Sequence, residues 1–388
     1  MNVLVLSNTF PDKDNLSFGD IFVKEQIKYL RKYVDNIYVV TPVPYGRDLL
    51  KKEKHTDYQF DNVQVFFTKF PMLPIYTPHA QSIWAKFGKN AVLRTVRKHE
   101  ISFDLIHAHY TWRGGAIAAE IKKEMNVPVV LTEHAHESIY PLIKKRDRFI
   151  VDTWANVDAI IRVNQTDMPL FSEVTSSEKL FYIPDGYDPD KVKNISKKEA
   201  REILKLPIDK KVLFNLGHLD KYKGQIFLIR AMKEVIKKRS DVICIIGGDG
   251  PLRTELENEI KHLGLTEYVK LIGRVPHDKI SLWYSAADLF VLPSLYESFG
   301  IVQIEAMACG KPVVATRNGG SEQIITSEDY GLLCEPGDSH GLAKNILLAL
   351  DKEWDADKIR AYAERFRWDN IAKQIVELYE RVRSRYNH

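Results

Sequence analysis

Short β-branched runs alternate with helical patterns along the whole chain, and this alternation leaves few folds open. The runs "NVLVLS", "NIYVVTP", "DLIHAH", "PVVLTE" and "DAIIRV" fit parallel strands buried on both faces. Helical stretches such as "GDIFVKEQIKYLRKY" and "GGAIAAEIKKEM" lie between them. The series then restarts with "KVLFNLG", "DVICIIGG", "VKLIGRV", "DLFVLPS", "KPVVAT" and "GLLCEP". Two βαβ series predict two doubly wound α/β domains. The length of 388 residues agrees with that division, at roughly 100–200 residues per domain. Between the series, "YIPDGYDPDKVKNISKKEA" holds two prolines and a glycine before a capped helix start at Ser196, and reads as the hinge. The stretch from Trp354 is strongly helical and ends in "IAKQIVELYERVRSRY".

Composition removes several classes of function. The chain is 45% hydrophobic and 28% charged, an ordinary balance for a protein with two cores. A net charge of +4 is too small an excess to argue for nucleic acid. Cys244, Cys309 and Cys334 are odd in number and widely spaced, which suits reduced core cysteines better than a disulfide frame or zinc site. The opening "MNVLVLSNTF" lacks a basic leader region and reads as a first strand. No apolar run approaches the roughly 18 residues of a membrane span, so a cytoplasmic location is expected.

Ligands of doubly wound sheets bind at the carboxyl ends of the strands. In "FVLPSLYESFGIVQIEAMACG", a strand leads through a loop into a helix. Glu297 stays on the loop, Phe299 and Gly300 fall where the helix begins, and Glu305 lies within its first two turns. Free amides and the positive dipole end at such a start suit an anion. Either glutamate alone also fits a surface acid or an acid favoured by the dipole. The stretch "GHLDKYKGQ" follows another strand, and its Lys223 would offer a point charge to a diphosphate or simply be solvated. "IIGGDGP" is a glycine turn that does not complete a dinucleotide fingerprint. "HAH" at 107–109 and "TEHAHE" at 132–137 end neighbouring strands. Their His107, His109, His134 and His136 fit either a metal-dependent hydrolase or hydrogen-bonded histidines of a polar cleft.

Taken together these stretches resemble the retaining glycosyltransferases of family 4, which have the GT-B fold. The family pattern E-x-F-G-x(4)-E stands here as Glu297, Phe299, Gly300 and Glu305, followed by "EAMACGKPVVAT" and the glycines 319–320. "GHLDKYKG" matches the family's lysine loop, "GGDGP" its glycine turn, "GRVP" its next turn and "DGYD" its hinge. "FPDKDNLSFGDIFVKEQ", "HAHYTWRGG" and "TEH" match more loosely. The resemblance implies two Rossmann-like domains facing across a cleft. Residues 1–186 would bind the acceptor and 187–369 the nucleotide-sugar, with a helix from about 370 to 388 packing back on the first domain.

It also implies roles. Glu305 would hold ribose hydroxyls and Glu297 the donor hexose. Amides at Phe299, Gly300 and Ile301 would face sugar and diphosphate. Lys223 would bind phosphate beside Gly217, and the base would lie near Arg274 and Val275. Gly19 would face the diphosphate, and His109 and His134 would line the cleft near the sugar. The implied catalytic set is His109, Lys223 and Glu297, with no metal and no cofactor. One departure stands out: the family's phosphate-binding arginine is His218 here, which titrates near neutrality where arginine stays charged.

The expected reaction moves a hexosyl group from a UDP- or GDP-hexose to a hydroxyl of a sugar, polyol or glycolipid, retaining configuration. A sugar-nucleotide epimerase, a hydrolase using the histidines, or a non-catalytic binder of nucleotide-sugars are the alternatives. Residues 62–99 add a further expectation. They contain no acid, six basic residues and many aromatics, and Ile83, Trp84, Phe87 and Ala91 are spaced for one side of a helix. Such a stretch suits peripheral binding to an anionic membrane face, or equally a strand and helix with a solvated basic face.

Overall fold

The computed structural model describes residues 1–13, 20–45, 55–71, 78–135 and 138–386. The chain forms two compact units. Residues 1–185 and the segment from Trp368 onward make unit 1, and Gly186–Arg367 make unit 2.

Unit 1 is built on strands β1 (Asn2–Leu6), β2 (Asn36–Pro44), β3 (Tyr58–Phe60), β4 (Val63–Phe70), β5 (Leu105–His109), β6 (Val129–Glu133), β7 (Ala159–Arg162) and β8 (Leu180–Tyr182). They form one sheet in the order β3-β4-β2-β1-β5-β6-β7-β8, parallel except for β3 against β4. Strand side chains alternate between faces, so an all-apolar strand must be covered twice. Leu4 and Leu6 pack with Ile106, Leu131, Ile117 and Trp154 on one face. Val3 and Val5 pack with Leu105, Val130 and Ile161 on the other. Helices Pro78–Lys98, Ala116–Lys122 and Arg148–Ala155 contribute to the first layer. Helices Ile21–Leu30 and Trp368–Arg383 make the second.

The Trp368–Arg383 helix buries Ile371, Ile375, Leu378, Tyr379 and Val382, an apolar stripe at helical spacing. The Tyr379 hydroxyl and His107 Nδ1 share a hydrogen bond of 2.5 Å, tying the last helix to the middle of the sheet. The sequence reading found β1, β2, β5, β6 and β7, weighed a strand and a helix within 62–99, where β4 lies, and did not place β3 or β8. β3 and β8 have three residues each, too few to show a period. β4 falls inside the acid-free stretch, where its residues Val63, Val65, Phe66, Phe67 and Phe70 are core.

Unit 2 contains β9 (Lys211–Leu216), β10 (Val242–Gly247), β11 (Val269–Gly273), β12 (Leu289–Leu292), β13 (Val313–Thr316) and β14 (Gly331–Cys334). All pair in parallel, in the order β11-β10-β9-β12-β13-β14. The strand order reverses between β9 and β12, the switch point of a Rossmann sheet. Leu213, Cys244 and Ile246 pack on Leu228, Met232 and Val235 of helix Gln225–Lys238. On the opposite face Phe214 meets Tyr284 and Phe290, with ring centroids 5.5 and 6.1 Å away. The three cysteines are buried and free.

Arg162 of β7 is fully buried. Its Nε and Nη2 donate to the Asp167 carboxylate at 2.6–3.1 Å, and its Nη1 donates to the Glu133 carbonyl at 2.6 Å. Removing one partner of such a pair leaves a buried charge uncompensated. Asp167→Ala is therefore expected to cost about 3–5 kcal/mol of stability, measured by denaturant unfolding of unit 1. A loss under about 1 kcal/mol would show the guanidinium to be solvated after all.

Candidate active site

In unit 2 the polar groups gather where β9 and β12 end. β9 runs out at Gly217, and β10 turns at Gly248 with φ +134°. A Cβ on Gly248 would lie 1.8 Å from the Gly217 carbonyl oxygen, so the two strand exits meet backbone to backbone. Gly217 N donates to Gly247 O at 3.1 Å, and Gly248 N donates to Gly273 O at 2.8 Å. The exits of β9, β10 and β11 are thus stitched side by side. Arg274 is exposed in the last of these turns, while Val275 is buried against Gly247.

Beyond Gly217 the loop is capped by Asp220, whose side chain accepts from Lys221 N at 2.6 Å. His218 is exposed, and its carbonyl accepts from Gln225 Nε2 at 3.0 Å. Lys223 then reaches across the switch point to Glu297, which follows β12: Nζ to Oε1 is 2.7 Å. Ser294 donates its hydroxyl to the same oxygen at 2.7 Å. Glu297 N donates to Asn318 O at 3.0 Å, and Asn318 Oδ1 accepts from Gly320 N and Ser321 N at 3.1 and 2.9 Å. Lys223 and Ser294 therefore hold the carboxylate, and the loop after β13 holds the backbone of Glu297.

The Ile301–Ala308 helix begins after Gly300, which sits at φ +95°. Its first hydrogen bond of this turn runs from Gln303 N to Gly300 O at 2.9 Å. The amides of Ile301 and Val302 precede that point and belong to the free end of the helix. Phe299 contributes backbone, since its side chain is buried against Phe366. Glu305 accepts from the buried Tyr284 hydroxyl at 2.8 Å. Burial, then the Glu305 charge, hold that phenol well above its usual pKa, so it donates.

In unit 1 the histidines form one buried chain. His107 Nε2 meets Thr132 Oγ1 at 2.7 Å, while its Nδ1 is hydrogen-bonded to the Tyr379 hydroxyl, so both ring nitrogens are engaged. His109 Nδ1 and His134 Nε2 share a hydrogen bond of 3.0 Å. His134 Nδ1 lies 3.8 Å from the Asp185 carboxylate. Burial pushes His107 down to about 3 and holds His109 and His134 well below their usual range, helped at His109 by the adjoining imidazoles and at His134 by Arg162. The same burial raises Asp185 to about 7, opposed by Arg162, and Asp20 to about 6. Neutral imidazoles and reluctant carboxylates are what a dry pocket dictates. At the switch point between β1 and β5, Asn8 donates to Trp112 O at 2.9 Å and accepts from Gly114 N at 3.0 Å.

Among the described residues no group of three or more His, Cys, Asp or Glu is arranged to hold a metal ion. The hydrolase alternative is corrected for His107, whose two nitrogens serve the core. His136 and Gly19 lie outside the described residues. Unit 2 brings together Gly217, His218, Lys223, Arg274, Val275, Glu297, Phe299, Gly300, Ile301 and Glu305 at its strand ends. Unit 1 brings together His109 and His134. Sequence reasoning missed Tyr284, Ser294, Asn318 and Asp20. Only the glycine pair after Asn318 carried a signal.

Residues 20–191 match the family model described as Glycosyltransferase Family 4, and residues 196–366 the model described as Glycosyl transferases group 1. The D-inositol 3-phosphate glycosyltransferase of Corynebacterium urealyticum is 31% identical over 317 residues, 74% of each chain. The chain belongs to glycosyltransferase family 4. Sucrose-phosphate synthase of Thermosynechococcus elongatus has the same fold, with a TM-score of 0.79 at 23% identity over 98% of both chains. Anabaena HepE, solved in complex with UDP-glucose, gives a TM-score of 0.74 at 25% identity, covering 98% of this chain and 99% of its own. The fold of this glycosyltransferase is thus GT-B, with two Rossmann-like units.

The glycine contacts of this glycosyltransferase yield a test of the site's construction. Gly248→Ala must separate two strand exits, whereas Gly264→Ala, at φ +68° with nothing within 4 Å, meets only backbone strain. Gly248→Ala is expected to destabilise by more than the roughly 1 kcal/mol of strain alone, and by clearly more than Gly264→Ala. Equal unfolding midpoints for the two variants would show that the exits can part freely.

Proposed function

We propose that this glycosyltransferase moves a hexosyl group from a nucleoside diphosphate hexose, UDP- or GDP-linked, to a hydroxyl of a sugar, polyol or glycolipid. Configuration at the transferred carbon is retained and no metal is required. The observation that carries this reading is the 2.7 Å meeting of Lys223 and Glu297 over the β9/β12 switch point, beside the free end of the Ile301–Ala308 helix. A cation and unpaired amides suit a diphosphate. A carboxylate fixed from two sides suits sugar hydroxyls. HepE was solved with UDP-glucose, which makes uridine donors the first to try.

In this reading Gly186–Arg367 binds the donor and residues 1–185 bind the acceptor. Glu305, steadied by Tyr284, takes the ribose hydroxyls, and the base lies near Arg274 and Val275. His218 and Gly217 flank the diphosphate. His109, neutral in its buried place and aligned by His134, offers the sugar a hydrogen-bonding group. Its Nε2 has no hydrogen-bond partner among the described residues.

As transfer proceeds, the bond from the anomeric carbon to the diphosphate oxygen breaks and one to the acceptor oxygen forms on the same face. The acceptor proton passes to the departing oxygen. Negative charge grows on the diphosphate, where Lys223 and the helix amides meet it without reorganising. Glu297 orients the hexose and steadies positive charge on its ring. Excluding water from this step limits hydrolysis.

Thermal-shift screening with UDP-, GDP- and ADP-hexoses, followed by turnover assays, tests the proposal, because a ligand bound to the native state raises the melting temperature. No shift with any of them would refute the donor assignment. Glu305→Ala is expected to raise the donor KM with kcat nearly unchanged, since ribose binding is common to ground and transition states. Glu297→Gln should instead lower kcat, and Lys223→Ala should cost on the order of 10²-fold in turnover. A wild-type donor KM in Glu305→Ala would remove the ribose role, and wild-type turnover in Lys223→Ala the charge argument. Activity is expected to survive EDTA; loss on chelation, restored by a divalent ion, would overturn the metal-free mechanism.

A further inference from the structure

The Pro78–Lys98 helix has an inner and an outer face, and they divide its apolar residues unexpectedly. Trp84 and Ala91 point into the core, at 8% and 2% exposure, while Ile83 and Phe87 point outward at 55% and 48%. The one-sided apolar stripe expected from the spacing is therefore split. Ile83 and Phe87 are four residues apart, so they form one outward pair. Around them on the same exposed arc stand Lys86, Arg94, Arg97 and Lys98. No acid occurs between Asp61 and Glu100.

Simpler accounts explain only part of this face. Arg97 and Lys98 complement the helix dipole at its carboxyl end. Arg94 donates to Lys69 O at 2.8 Å, and Lys89, turned to the side, pairs with Glu124. Neither dipole nor core packing calls for an exposed phenylalanine beside an isoleucine at mid-helix. A second basic surface lies across an adjoining cleft bordered by Ser82, Ala85, Asp147 and Phe149. There the turn after helix Tyr140–Lys144 exposes Lys144, Lys145 and Arg146 next to Leu142, itself 36% exposed. The acids of that cleft are committed. Asp147 caps the next helix, Asp152 faces Arg148 at 3.4 Å, and Glu120 faces Lys123 at 2.6 Å.

We infer that this face of unit 1 docks on an anionic lipid bilayer, with Ile83 and Phe87 entering the headgroup region and the surrounding lysines and arginines meeting lipid phosphates. Interfacial helices bind in this way, by modest apolar burial added to electrostatic attraction. No helix among the described residues is long and apolar enough to cross a membrane, so the contact is peripheral. The inference needs no turnover and stands or falls apart from the sugar-transfer reading.

Cosedimentation of the full chain with vesicles decides it. Equal parts phosphatidylglycerol and phosphatidylcholine are compared with phosphatidylcholine alone, at low and high salt. Binding is expected only to the anionic vesicles and should fade with salt. Lys86→Glu with Arg94→Glu should weaken it at least about tenfold. Ile83→Ser with Phe87→Ser, both exposed, should weaken it while the remainder stays salt-sensitive. An unchanged melting temperature in each variant confirms an intact fold. Equal recovery of the wild type in both supernatants would overturn the inference, as would anionic binding that both double variants retain. Binding to soluble dextran sulfate as tight as to vesicles, indifferent to Ile83 and Phe87, would reassign the face to a soluble polyanion.

Discussion

Everything in this protein follows from sheets that must be dry on both faces. A parallel strand such as Asn2–Leu6 sends Val3 and Val5 one way and Leu4 and Leu6 the other, and each set needs its own layer of helices. Once both faces are sealed, polar chemistry has only the strand ends left to occupy. This is why Gly217, Lys223, Glu297 and the helix start at Gly300 share one rim of unit 2. It is also why His109 and His134 sit at the corresponding ends of β5 and β6. The site is a by-product of where the core stops.

That constraint also explains the electrostatics. Groups at the rim of a dry sheet are partly desolvated, and each is kept in its charge state by a neighbour or gives the charge up. Lys223 and Glu297 meet as an ion pair across the switch point. His107, His109 and His134 give up their charge: His109 and His134 share a hydrogen bond, and His107 is held between Thr132 and Tyr379. The strand ends of the two units thus differ in kind. One has a charged pair with helix amides, and the other has neutral donors and acceptors.

Much of this was legible in the sequence because it rests on short-range pattern. Apolar runs between helical stretches announced eleven of the strands, and the glycines at 217, 248 and 300 mark places where backbone meets backbone or turns positive. What escaped depends on long-range contacts. Tyr284 lies on a different element from Glu305, and no spacing links them. The outward turn of Ile83 and Phe87 depends on which side of their helix meets β4 and the Ala116–Lys122 helix, which periodicity alone does not say. Three-residue strands such as Tyr58–Phe60 exist because a neighbour pairs with them, and carry no period of their own.

The chain leaves unit 1 after Asp185 and returns to it at Trp368, so unit 2 is inserted within the covalent path of unit 1. Entry and exit are closed together: Tyr187 N donates to Phe366 O at 2.9 Å, and Tyr187 bridges Arg367. The order of synthesis and the order of folding are therefore at odds. During translation the first sheet emerges early, yet one of its faces is covered by the Ile21–Leu30 helix alone until the final helix is made. The bond from Tyr379 to His107 spans 272 residues, so it forms only when nearly the whole polypeptide is out. Unit 2, continuous in sequence, is free to complete itself first. The half of the protein made first is the half that finishes folding last, and its exposed valines are the surface most in need of protection on the ribosome.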